Sequence, residues 1–199
     1  GEFFYVSLGN NKTILKLSRA NGTQAGSIST QVEPHRIATG PNDRVFYVKE
    51  EQFSSIYAVN FTNAEDLQLT TAKYFQPDIE TNSDGTKLFV GESIEHGSRL
   101  LRFEATNPLL PVEDQYDFSE GGFTEPWPKR GIRISPNDDR VFFSERSFDA
   151  NDLSYVRGWI GAHVLATSSD GAIVVTKDSF YDGKTFIRFG TRPHPGNGV

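Results

Sequence analysis

Arg133-Ile134-Ser135-Pro136-Asn137-Asp138-Asp139-Arg140-Val141-Phe142-Phe143 decides how this chain is read. It runs as a strand, a four-residue turn and a more apolar strand. Pro presets φ inside the turn, while Asn and Asp cap their own backbone and tolerate φ > 0. Turns of the same chemistry stand at Gly40-Pro41-Asn42-Asp43, Asn82-Ser83-Asp84-Gly85 and Ser168-Ser169-Asp170-Gly171. A segment with Ile or Leu third precedes each turn: His35-Arg36-Ile37-Ala38-Thr39, Pro77-Asp78-Ile79-Glu80-Thr81, Arg130-Gly131-Ile132-Arg133-Ile134 and His163-Val164-Leu165-Ala166-Thr167. We label it strand A.

An apolar strand B follows each turn: Val45-Phe46-Tyr47-Val48, Leu88-Phe89-Val90-Gly91, Val141-Phe142-Phe143-Ser144 and Ile173-Val174-Val175-Thr176. A fifth copy, Phe3-Phe4-Tyr5-Val6, opens the chain. Short apolar runs rich in β-branched and aromatic residues suit strands buried on both faces. A strand C is expected at Ile14–Leu17, Ile56–Val59, Leu100–Phe103, Tyr155–Gly158 and Phe186–Phe189, with Lys16, Arg102 and Arg188 at one shared place. A more polar strand D is expected at Ala25–Ile28, Leu67–Thr71 and Asp114–Phe118.

The B strands begin at 3, 45, 88, 141 and 173, so they are spaced by 42, 43, 53 and 32 residues. The first two intervals match a four-stranded propeller blade of about 40–45 residues. The expected architecture is therefore an all-β propeller of about five repeats. Its blades lie near 3–30, 35–76, 77–120, 129–161 and 162–190, followed by a flexible tail at 191–199. The long third interval reflects an insertion at 105–129. The short fourth one suggests a fourth blade without an ordinary D strand. A first blade lacking A and a last blade lacking D would then close a small five-bladed ring. The alternative is a piece of a larger ring, with uncovered edges that a second copy would cover.

Composition narrows the functions. The 199 residues carry 20 Lys+Arg against 26 Asp+Glu, a net charge of −6. That balance argues against a nucleic-acid partner, which needs clustered cations. No apolar run is long enough for a membrane-spanning helix. The absence of cysteine excludes disulfides, thiolate metal sites and a cysteine nucleophile. There is no methionine, even at position 1, so the chain is expected to be a processed or excised piece.

The repeat resembles the YVTN-type and WD40-like (TolB-type) propeller repeats, in which a strand, Ser-Pro-Asp-Gly and an apolar strand follow one another. Ser135–Asp138 running into Arg140–Phe143, and Pro34–Ala38 running into Gly40–Asp43, carry the resemblance. It spans residues 3–190. It implies that strand A is innermost and that the module works as a surface-layer unit, an interaction scaffold, a lactonase or a non-catalytic peptidase domain. It also implies a place outside the cell, at its surface or in a periplasm. Three glycosylation sequons, at Asn11, Asn21 and Asn60, fall on expected turns.

If strand A lines a central channel, its polar residues converge from distant parts of the chain. These are His35, Arg36, Asp78, Glu80, Arg130, Arg133 and His163. They form either a ring that binds an anionic or carbohydrate-like ligand, or an ion-pair network that satisfies itself. His35 and His163 share a repeat position, but no third ligand accompanies them, so no metal and no cofactor is expected. No Gly-x-Ser-x-Gly elbow, calcium loop or phosphate loop occurs. Glu80, Glu92 and Glu145 are the carboxylates a lactonase would draw on. In the insertion, Phe123 and Trp127 lie among prolines and glycines, and an exposed Trp on a stiff loop is a good anchor. The leading expectation is a non-catalytic module that binds a protein or a surface glycan through its loop face. The alternative is a propeller hydrolase or lactonase that uses the channel residues.

Overall fold

A computed structural model describes residues 2–49, 52–94, 97–119, 131–144, 146–158, 164–176 and 178–191. The repeat unit folds as a sheet each time it occurs. The first sheet has three strands, β1 (Phe3–Leu8), β2 (Thr13–Ser18) and β3 (Gln24–Ser29). The second takes β4 (Arg36–Thr39), β5 (Arg44–Val48), β7 (Tyr57–Asn60) and β8 (Glu65–Gln68). A two-stranded ribbon of β6 (Phe53–Ser54) and β9 (Tyr74–Phe75) lies beside it in sequence. The third sheet is β10 (Asp78–Thr81), β11 (Lys87–Ile94), β12 (Gly97–Glu104) and β13 (Val112–Ser119). The fourth is β14 (Arg133–Ile134), β15 (Arg140–Phe143), β16 (Arg146–Asp149) and β17 (Tyr155–Gly158). The fifth is β18 (Val164–Thr167), β19 (Ile173–Thr176), β20 (Ser179–Asp182) and β21 (Arg188–Thr191).

All pairings are antiparallel between neighbours in order, so each complete sheet is an A-B-C-D meander. The turns adopt the conformations their residues favour. Asn42, Asp43 and Asp138 sit at φ 55°, 64° and 58°, and Gly85 at φ 74°.

Neighbouring sheets meet through their A strands, β4 against β10, β10 against β14 and β14 against β18, while β1 takes the place beside β4. The A strands therefore form the inner edge around which the sheets are arrayed. The B and C strands supply most of the packing between sheets. Ile14, Tyr47 and Val59 join the first sheet to the second, and Phe46, Val48, Leu88 and Leu101 join the second to the third. Phe89, Val141, Phe143 and Phe148 join the third to the fourth, and Phe142, Val164 and Val174 join the fourth to the fifth. Gly91 on β11 is a residue of close approach, because a Cβ there would overlap the Phe143 ring.

Hydrogen bonds at the sheet margins add to this packing. Asp43 in the second A–B turn accepts from Tyr5 Oη and pairs with Lys16 Nζ of the first sheet. Burial pulls the Asp43 carboxyl up, yet the bonds from Lys16 and Tyr5 outweigh it and hold it below its ordinary value. In the next sheets the Arg44 guanidinium donates to the Ala105 carbonyl at 3.2 Å, and the Ser83 N–H to Asp138 at 2.9 Å. Arg102 donates to the Ala150 carbonyl at 3.0 Å, and Arg157 to the Thr185 carbonyl at 2.8 Å.

The C strands of the last two repeats are corrected. Tyr155–Gly158 is the D strand β17, and its C strand is Arg146–Asp149. Phe186–Phe189 leads into the D strand β21, and the C strand there is Ser179–Asp182. The reason is composition. Arg146-Ser147-Phe148-Asp149 shows a single apolar residue, although Ser147 is fully buried beside Phe148. The fourth and fifth sheets thus each have a D strand. Arg188, on D, does not match Lys16 and Arg102 on C.

Candidate functional site

Strand alternation and the inner position of the A strands bring four charged side chains into one line. Arg36 lies on β4, Asp78 and Glu80 on β10, and Arg133 on β14. Residues 78 and 80 are two apart on one strand and so face the same way. Arg36 Nε stands 3.5 Å from Asp78 Oδ1, and Arg133 Nη1 stands 3.6 Å from Glu80 Oε2. Asp78 is buried. Its Oδ2 accepts the Ile132 N–H at 3.1 Å and its Oδ1 the Ile79 N–H at 3.0 Å. Arg133 donates to its neighbour's carbonyl, Ile132 O, at 2.6 Å and to Leu165 O on β18 at 3.4 Å. A polar seam thus crosses four sheets at the hub.

Burial shapes its electrostatics. Desolvation pushes the Glu80 carboxyl up to about 7, against the pull of Arg133, and the negative Asp78 adds to the rise. Burial likewise raises Asp78, opposed by Arg36, by the two backbone N–H groups and by Arg133. Arg36 and Arg133 keep 39% and 38% of their side-chain surface, so both side chains are reachable from solvent. The arrangement can hold an anionic or hydroxyl-rich group by planar N–H donors. It also places near-neutral Glu80 beside a cation.

The other expected residues divide. His35 precedes β4, and its N–H donates to the Val48 carbonyl at 2.9 Å. It lines a cleft of about 480 Å³ with Ser7, Gly9, Asn10 and Glu33, at the first sheet rather than within the seam. Arg130, His163, Phe123 and Trp127 lie outside the described residues, as does Glu145. Glu92 stands away from the seam on β11. Its Oε1 accepts from Arg99 Nε at 2.7 Å and its Oε2 from the Phe75 N–H at 2.8 Å. Burial raises its pKa while the Phe75 N–H and Arg99 lower it.

Sequence reasoning missed two participants. The Ile132 N–H and the Leu165 carbonyl are backbone groups and carry no side-chain signature. It also missed a cleft of about 570 Å³ lined by Phe53, Lys73, Phe75, Glu92, Ile94 and Arg99. The available signal was Phe53 and Phe75, two aromatic residues in polar stretches, whose rings meet edge to face at 5.2 Å.

No family model matches the chain, and no curated protein matches it in sequence. Solved structures do match in shape. The chain is similar to Kuenenia stuttgartiensis hydrazine synthase, with a TM-score of 0.64 and 12% identity over 92% of this chain and 62% of that one. It is similar to the dihydro-heme d1 dehydrogenase NirN, solved in complex with DHE, at TM-score 0.64 and 12% identity over 98% of this chain and 44% of that one. A chain of the mitotic checkpoint complex matches at TM-score 0.65 and 12% identity, over 98% of this chain and 62% of that one. These are propeller-type folds, and the fold of this chain is a β-propeller. The chain spans less than two thirds of the length of each.

Proposed function

We propose that this chain is a non-catalytic propeller module that captures a protein or a surface glycan at the mouth of its hub. The observation that carries the reading is the seam itself. The carboxylates of Asp78 and Glu80 face arginines, while the Arg36 and Arg133 side chains stay partly exposed. Such a surface suits a carboxylate-bearing or hydroxyl-rich partner. The loop carrying Phe123 and Trp127 would add apolar anchors. Assembly into complexes is compatible with this fold, since one similar structure is by its title a multi-protein complex. The YVTN-like repeat supports a place at the cell surface or in a periplasm.

The test is capture by the chain on an array of acidic and neutral glycans and from a surface-protein extract. Arg36→Ala with Arg133→Ala is expected to lower capture at least about tenfold. Capture unchanged in that double variant contradicts the reading. One observation favours hydrolysis as a second reading: Glu80, at about 7, is poised as a general base beside Arg133. Turnover of lactone and ester substrates, with and without divalent metal, that vanishes in Glu80→Ala would establish it.

A further inference from the structure

We propose that the cleft between the β6–β9 ribbon and the third sheet binds a small aryl carboxylate. Phe53 and Phe75 take its rings, and Lys73 and Arg99 take its charge. The ribbon is an addition to the repeat. Among the described residues only the second repeat carries one, with β6 in its B–C connection and β9 after its D strand. It is held from several sides. The Phe75 N–H donates to Glu92 Oε2 on β11 at 2.8 Å, and the Gln76 N–H donates to the Gln52 carbonyl at 2.9 Å. Ser54 Oγ accepts the Lys49 N–H at 3.0 Å and donates to the Ser55 carbonyl at 2.7 Å. The cleft that the ribbon makes with β11 and β12 is thus preformed, and its volume of about 570 Å³ is that of a small-molecule site.

The lining says what kind of molecule fits. Phe53 is 48% exposed and meets Phe75 edge to face, so an incoming ring finds the tilted partners that aromatic rings favour. Ile94 adds an aliphatic wall. The charged groups differ in what they can offer. Glu92 is 2% exposed, with Oε1 bonded by Arg99 and Oε2 by the Phe75 N–H, so it holds the scaffold. Arg99 answers Glu92 and stands opposite Asp117 on β13, yet it keeps 31% of its side-chain surface and lines the cleft. Lys73 also lines the cleft and is exposed, and among the described residues no carboxylate pairs with it. One surplus cation beside apolar walls suits an apolar body with a single negative charge. That favours a carboxylate over a phosphate monoester, whose charge approaches −2. A planar carboxylate also matches the guanidinium of Arg99.

The experiment titrates naphthylacetate into the 199-residue chain and follows amide chemical shifts. Binding is expected with a Kd on the order of 1 mM, and it should move the signals of Phe53, Phe75 and Arg99. Naphthylacetamide has the rings without the charge, and acetate has the charge without the rings. Each should bind at least about threefold more weakly. Phe53→Ala and Lys73→Ala change exposed positions, and circular dichroism checks that the fold is kept. Each is expected to weaken naphthylacetate binding by about threefold or more. Arg36→Ala with Arg133→Ala should leave that affinity unchanged, which separates this site from the seam at the hub. Absence of shifts at those three amides with about 10 mM probe overturns the proposal. So does equal binding of naphthylacetamide, an affinity that neither Phe53→Ala nor Lys73→Ala alters, or binding lost in the Arg36, Arg133 double variant.

Discussion

Glu80 keeps 38% of its side-chain surface, yet its carboxyl is set in the seam between Asp78 and Arg133. Its ordinary value is 4.5 and burial pushes it up to about 7, with Arg133 opposing and Asp78 assisting. A carboxyl with a raised folded pKa makes the native state the better proton binder across that interval. Its contribution to stability is fully present below about pH 4.5 and is lost as pH rises toward and through 7. Glu80→Gln keeps the shape and cannot titrate. The variant is expected to show a flatter dependence of Tm on pH between about 5 and 7.5 than the parent chain, read by differential scanning calorimetry. Parallel curves would remove Glu80 from the list of groups that titrate in this range. Gly91 tests packing at the same scale. Gly91→Ala sets a methyl group against the buried Phe143 ring, and a loss of about 1–3 kcal/mol in urea unfolding is expected.

At the scale of elements, the A–B turn joins blades as well as strands. Asp43 occupies a left-handed position that Asp and Asn tolerate, and it takes Tyr5 and Lys16 from the previous sheet. Asp43→Ala removes the acceptor and leaves a partly buried ammonium and hydroxyl to be resolvated. A cost of about 1–3 kcal/mol is expected, with Asp43→Asn losing less because it keeps an acceptor and the turn conformation. Equal costs for the two would show that charge, and not hydrogen bonding, carries the tie. The turns and B strands were legible in the sequence because both rest on local chemistry: Pro, Asx and Gly at fixed places, then an apolar run. The C strands of the fourth and fifth repeats were not. Their inward positions include Ser147 and Ser179, buried by neighbouring sheets, and nothing local in the sequence marks a serine as core.

The candidate site was half legible for a related reason. Arg36 and Asp78 share the second place of strand A, and Glu80 and Arg133 the fourth, so the topology alone predicts that they meet. The partners that hold them, Ile132 N–H and Leu165 C=O, belong to the backbone. His35 fell at the edge of the pattern, and the structure places it in the cleft beside the first sheet.

For the whole molecule, the central claim is that sheets far apart in sequence stand side by side about one hub, with their A–B turns in contact. The chain contains no cysteine, so introduced thiols report on proximity without interference. Ser83 and Asp138 belong to turns of different sheets, and the Ser83 N–H donates to the Asp138 carboxylate at 2.9 Å. The most direct measurement is oxidation of the Ser83→Cys, Asp138→Cys chain under native conditions, followed by non-reducing gel and peptide mass analysis. The account predicts an intramolecular disulfide between these two positions in the monomer, lost when the chain is oxidised in denaturant. Free thiols after native oxidation, in a chain with unchanged circular dichroism, would contradict it.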